Sequence, residues 1–164
     1  MNIRHIQLED ARQFANLLTS VDSSNTMLFE PGERKTSTEQ EEKRIESILL
    51  QTNSTIIVAE VAEQLVGYLV VLGGHCNRNR HSAYLVIGVL EEYRGKGIGK
   101  RMLTEAFHWG KSAGLTRLGL TVIKHNERAV RLYEKMGFQV EGEKVHSLMM
   151  NGQPVNELYM YRLL

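Results

Sequence analysis

Arg94, Gly97 and Gly99 belong to a stretch, Tyr93-Arg94-Gly95-Lys96-Gly97-Ile98-Gly99-Lys100-Arg101, whose composition suits an anion. Glycine lets backbone N–H groups turn toward a ligand with no Cβ in the way. An apolar run precedes the stretch and a helical pattern follows it. The first turn of a helix has unpaired N–H groups at the positive end of its dipole, so strand, glycine turn and helix together make a phosphate site. Spacing excludes two nucleotide loops. A dinucleotide fingerprint needs a glycine three positions after its second one, and counted from Gly95 and Gly97 that position holds Lys100. A triphosphate loop needs Gly five residues before Gly-Lys and then Ser or Thr; Arg94 and Arg101 stand there instead.

Two other clusters carry reactive or charged side chains. Segment 21–35 has no clear period and gathers Phe29, Glu30 and Glu33 around the Pro31-Gly32 turn. A loop this long inside a compact domain is often functional. An aromatic ring beside two carboxylates suits a cationic amine; the competing reading is a solvated loop with Phe29 tucked into the core. His75, Cys76 and His81 share one polar loop. Zinc usually takes four ligands at ordered spacings, so no metal is expected.

The elements that must position these residues follow from periodicity and turn chemistry. A short strand over 3–8 leads into a helix from Glu9-Asp10 to about Ser20. Ser37 to Gln40, or Thr38 to Glu41, has capping-box spacing and opens a second helix that stops near Thr52-Asn53. Segments 55–61 and 65–72 read as a hairpin. Segment 83–90, Ala-Tyr-Leu-Val-Ile-Gly-Val-Leu, is nearly all apolar, as in a central strand covered on both faces. Gly88 within it predicts a bulge or a close backbone approach. Helices over 97–113 and 126–136 end at Gly114 and Gly137, with a strand over 117–123 between them. Strands over 138–145 and 155–163 flank an Asn151-Gly152 turn. The order is strand, helix, helix, three strands, helix, strand, helix, two strands, which implies an α/β mixed sheet with helices on both faces.

A second constellation, Asn126-Glu127-Arg128-Ala129-Val130-Arg131-Leu132-Tyr133-Glu134-Lys135-Met136-Gly137-Phe138, turns the glycine stretch into a pair of ordered signatures. Together they resemble the acyl-coenzyme A loop and the second signature of the GNAT acetyltransferases. The likeness is close over residues 83–140. It implies a central, mostly antiparallel mixed sheet with one splayed parallel pair. Pantetheine would lie in the resulting V, pairing with Ile87 and Val89, and the Val89 N–H would serve as oxyanion donor. Arg94, Gly95, Lys96, Gly97, Ile98, Gly99 and Lys100 would cradle the pyrophosphate through backbone N–H groups. Lys96, Lys100 and Arg101 either add charge there or form ordinary solvated surface. Asn126 would bond the cofactor arm, although Asn also suits a helix N-cap. Ala129 is small where pantetheine would pass. Tyr133 follows Asn126 by seven residues and shares its helix face; the resemblance makes it the acid for the departing thiolate, against the alternative of a core tyrosine. Many members of the family carry a Glu on the central strand as base. Here 83–90 has no carboxylate and Tyr84 is its only ionisable side chain, which leaves Glu30, Glu33, His81, His125 or water.

The resemblance predicts transfer of acetyl from acetyl-CoA to a primary amine, small molecule or peptide, by direct attack in a ternary complex. Cys76 lies outside both signatures, so a covalent acetyl-cysteine route has little support. The alternative is a non-catalytic acyl-CoA-binding sensor or partner module. Segment 141–164 loosely resembles the end of ribosomal-protein and spermidine acetyltransferases. Bulk properties agree with a single domain over 1–164: 42% apolar and 24% charged residues in 164 suit a globular core. A net charge of +1 gives no case for nucleic acid. No apolar run approaches the roughly 20 residues of a membrane span, the start Met1-Asn2-Ile3-Arg4-His5 has no secretion core, and one cysteine forms no internal disulfide. A cytoplasmic location is expected. Dimers are common in the family, and no stretch here demands one.

Overall fold

The computed structural model describes residues 1–164. Its elements run β1 (Asn2–His5), α1 (Ala11–Asp22), α2 (Thr38–Leu49), β2 (Thr55–Val61), β3 (Gln64–Gly73), β4 (Ser82–Val89), α3 (Ile98–Ser112), β5 (Arg117–Ile123), α4 (Glu127–Lys135), β6 (Gln139–Met150) and β7 (Gln153–Leu163). The expected order is reproduced; the differences lie at boundaries. β1 stops at His5 because a 3-10 turn over Leu8–Asp10 follows. Arg4 pins that turn, donating to Asp10 and to Glu60 of β2. The Arg4 guanidinium holds the Asp10 carboxyl below its ordinary range. α1 runs on to Asp22, because Val21 is a core residue. At α2 the capping box forms between Ser37 and Gln40: Gln40 N donates to Ser37 Oγ at 3.2 Å, and Ser37 N donates to Gln40 Oε1 at 3.1 Å.

The seven strands form one sheet in the order β1-β2-β3-β4-β5-β7-β6. Every pairing is antiparallel except β4 with β5. That parallel pairing is short: Ser82↔Arg117, Ala83↔Leu118 and Tyr84↔Gly119. Beyond it each strand keeps its outer neighbour. β4 stays paired to β3 as far as Val89↔Gly67, and β5 to β7 as far as Ile123↔Glu157. Two strands that share one end and then follow different partners must diverge, so the sheet opens in a V after Tyr84.

Alternate residues of β3 show which helices cover which face. Tyr68 packs edge-on against Phe14 of α1, with ring centroids 5.8 Å apart. Its neighbour Gly67 faces Ile98 and Met102 of α3. α1 and α2 therefore cover one face and α3 the other, with the buried apolar residues between them. β6 is longer than its apolar run suggests, because the Asn151-Gly152 turn keeps it paired to Met150 with register shifts at Val140/Gly142 and Lys144/Leu148. No helix is long and apolar enough to cross a membrane.

Gly88 makes the close approach and not the bulge. The β3–β4 register is unbroken from Gly67↔Val89 to Gly73↔Ala83. A Cβ at Gly88 would lie 2.7 Å from Tyr68 Cε1 and 2.7 Å from Val21 Cγ1. Glycine is needed there so that the phenol and the last turn of α1 can rest on the strand.

Candidate functional site

The mouth of the V gathers the expected residues from three elements. On β4, Leu90 N donates to Val66 O and Ser82 O accepts from Gly74 N, both at 2.9 Å. Residues of that parity turn their backbone groups toward β3. Ile87 and Val89 have the opposite parity, so their N–H and C=O groups point toward β5 where pairing has ended. The Val89 carbonyl is taken by Arg94 Nε at 3.1 Å. Arg94 thus fastens the glycine loop to the end of β4, and the Val89 N–H still faces the gap.

The loop continues through Gly95 (φ +78°) and Gly97 (φ +79°) into α3. Gly97 is the N-cap, and no side chain caps the helix. The first helical bond runs from Arg101 N to Gly97 O, so the N–H groups of Ile98, Gly99 and Lys100 have no partner in the helix. Nothing lies within 4 Å of the Cβ position at Gly97. Uncapped amides, a helix dipole and open space fit a phosphate. Lys96 lies over the Tyr93 ring, Nζ to centroid 4.7 Å. Lys100 and Arg101 are exposed beside it. A residue the sequence reading did not single out joins them: Arg128 Nη2 lies 3.0 Å from the Cβ position at Gly95. Its place two residues after Asn126, in the first turn of a helix facing the loop, is the signal that points to it.

α4 packs against the start of α3. Asn126 is its N-cap, Oδ1 accepting from Ala129 N at 3.3 Å, which leaves its NH2 group outside the helix bonds. Leu132 closes on Gly99, whose Cβ position is 2.9 Å from Leu132 Cδ2 and 3.9 Å from Ile87 Cδ1. The half-buried Ala129 lies one helical turn before Tyr133. Tyr133 is 6% exposed and stacks edge-on against Phe138 at 5.8 Å. Burial pushes its phenol well above its ordinary value, and the phenols of Tyr84 and Tyr68 add to the shift. Tyr84 and Tyr68 lie on the α1 side of the sheet, whereas Leu132 meets α3. Tyr84 Oη and Thr121 Oγ1, 2.6 Å apart, tie β4 to β5 next to the vertex.

The acceptor-side expectations land differently. Glu33 accepts the Glu30 N–H at 2.8 Å, closing its own turn. The Phe29 ring is covered by Arg34, Cζ to centroid 4.3 Å. Of the base candidates, His81 stands at the paired end of the V and His125 just after β5 at its open end, both exposed. Cys76 is exposed, and no three His, Cys, Asp or Glu side chains gather as a metal site.

Residues 18–138 match the profile of the Acetyltransferase (GNAT) family. Among curated proteins, the chain is similar to spermidine N(1)-acetyltransferase of Escherichia coli (strain K12), 39% identical over 83 residues, which cover 50% of this chain and 44% of that protein. The match therefore spans under half the length of that relative. Among solved structures, an acetyltransferase of the GNAT family from Streptococcus pneumoniae superposes with a TM-score of 0.96 at 26% identity, covering 99% of both chains. YncA from Salmonella typhimurium, solved with its cofactor acetyl-CoA, superposes with a TM-score of 0.89 at 17% identity, covering 99% of this chain and 93% of that one.

Proposed function

The chain belongs to the GNAT acetyltransferase family, and on that premise we propose that it transfers the acetyl group of acetyl-CoA to a primary amine by direct attack in a ternary complex, residues 1–164 acting as one domain. The observation that carries this reading is the V itself. The end of the β4–β5 pairing, the uncapped start of α3 and the burial that keeps the Tyr133 phenol neutral support it.

Bound acetyl-CoA supplies an activated thioester carbonyl. Ile87 and Val89 pair with its pantetheine arm. Gly95, Lys96, Gly97, Ile98, Gly99 and Lys100 hold its pyrophosphate through backbone N–H groups, and Arg94 keeps that loop fixed to β4. Arg128 and Lys100 add positive charge. The Asn126 NH2 group is free to bond the arm while its oxygen caps α4. The Val89 N–H donates to the carbonyl oxygen as charge develops on it. Tyr133, kept neutral by burial, gives its Oη proton to the departing sulfur.

The acceptor is a primary amine, cationic in solution, that gives its ammonium proton to water before it attacks; the proton it sheds as the C–N bond forms and the C–S bond breaks also goes to water, from which Tyr133 is reprotonated. Glu30 and Glu33 on the loop between α1 and α2 favour such a molecule, and the similarity to a spermidine acetyltransferase points the same way. Thiol release from acetyl-CoA across a panel of amines tests the reading. Amine-dependent release is expected. Tight CoA binding without release under any amine supports the non-catalytic binding module instead.

A further inference from the structure

On the sheet face opposite α3, a buried carboxylate is paired with a cation of the chain itself. Asp22, at the end of α1, is 1% exposed. A carboxylate so enclosed needs a charged partner, and it has one: Arg34 Nε donates to Oδ2 at 2.6 Å and Nη2 to Oδ1 at 3.3 Å. The same guanidinium lies over the Phe29 ring at 4.3 Å. Carboxylate and aromatic face are the two groups that bind an organic cation. A polar hollow of about 220 Å³, lined by Thr19, Ser20, Asp22, Ser23, Gly32 and Arg34, opens beside them.

A second observation points to a ligand. Tyr68 is 1% exposed, and its hydroxyl has no hydrogen-bond partner. An enclosed hydroxyl left unpaired is costly to the fold. The charges of Arg34 and Asp22 both act on it. The cluster also lies beside β4. Val21, next to Asp22 in the chain, and the Tyr68 ring are the two groups that rest on Gly88, between Ile87 and Val89.

We propose that Asp22, Phe29 and Tyr68 form a subsite for the distal charged nitrogen of a di- or polyamine acceptor, and that Arg34 fills this subsite in the free protein. This rests on the acetyl-transfer reading and adds the class of acceptor to it. The exchange is one cation for another, so the buried carboxylate is never left unpaired. Arg34 sits on the 23–37 loop and swings to water. The incoming ammonium has three donors, enough for Asp22 and for Tyr68 Oη acting as acceptor. A monoamine has no second nitrogen to displace Arg34.

Thermal unfolding of Arg34→Gln, with and without millimolar 1,4-diaminobutane and without acetyl-CoA, tests the site alone. The variant should melt below the wild type and recover most of the difference with the diamine, but not with sodium chloride at equal ionic strength. The double variant Asp22→Asn/Arg34→Gln has no buried charge to compensate and should show no diamine response. Arg34→Lys keeps an ion pair but lacks the planar fork, so it folds in any case; its KM for the diamine should fall about threefold relative to a monoamine such as butylamine. Equal responses to diamine and salt, or a diamine-to-monoamine KM ratio unmoved by Arg34→Lys, overturn the proposal. Thiol release with monoamines but no diamine effect sinks this subsite and spares acetyl transfer. Diamine rescue without thiol release from any amine does the reverse.

Discussion

Two regions of the molecule, one wall built from β4, the glycine loop and α3 and the other from α1 and the loop after it, differ in how their polar groups are satisfied. The wall made of β4, the glycine loop and the start of α3 works through backbone: N–H groups of Ile87 and Val89 that face the gap, and helix-start amides with no cap. Such groups cannot turn away to satisfy one another, so they stay available to an anion. The wall made of the end of α1 and the 23–37 loop works through side chains, and these satisfy one another: Arg34 with Asp22 and Phe29, Glu33 with the Glu30 N–H. A backbone site is built once the fold forms. A side-chain site has to exchange internal partners for its ligand, which makes it selective for ligands able to compete.

Tyr133, on α4, gives the largest expected effect. Tyr133→Phe should lower kcat by about a hundredfold, the low end for a lost general acid, with CoA affinity at the wild-type level by equilibrium titration. A weakened CoA affinity with kcat retained assigns Tyr133 to packing. Next comes the seam where α1 meets β4. Gly88→Ala should cost about 1–3 kcal/mol, as overpacking does, because its Cβ would meet Tyr68 and Val21 at 2.7 Å; thermal or denaturant unfolding reads this, and a neutral result shows that the two walls are less tightly joined than described. Gly97→Val should raise the KM for acetyl-CoA by roughly tenfold through the left-handed φ and the filled space, leaving the KM for the amine unchanged. Equal changes in both erase the division of labour between the walls.

The smallest effect is a pH dependence. Burial pushes the Tyr68 phenol up to about 12 from 10.0, with Tyr133 shifted in the same direction. A raised value means that the unfolded state gives up the proton first. The stability held by these phenols is complete below pH 10 and is lost as pH rises from 10 toward 12. Tyr68→Phe should flatten that alkaline decline, followed by unfolding midpoints across the range; an unchanged slope places the sensitivity elsewhere.

The backbone wall was the more legible in sequence. Three glycines at 95, 97 and 99 mark the turn into α3, two by a left-handed φ and the third by its close approach to Leu132. The element order followed from periodicity for a similar reason: pairing and capping rules act over a few residues, as at Ser37–Gln40. The side-chain wall was far less so. Phe29 was picked out, but the carboxylate that shares Arg34 with it is Asp22, supplied by the last turn of a helix expected to stop near Ser20. The length of the parallel pairing, the Tyr68 hydroxyl behind Gly88 and the reach of Arg128 to Gly95 depend on which strands become neighbours. No local spacing encodes that. The strand expected over 138–145 runs on to Met150, because register shifts in β6 break the alternation that marks a strand.

The division between the walls is tested most directly by amide shifts of the 15N-labelled protein on addition of CoA. The largest changes should fall at Ile87, Val89, Gly95, Gly97, Ile98 and Gly99, with the 23–37 loop unmoved. Changes centred on the 23–37 loop, or spread evenly with the helix-start amides unaffected, contradict the account.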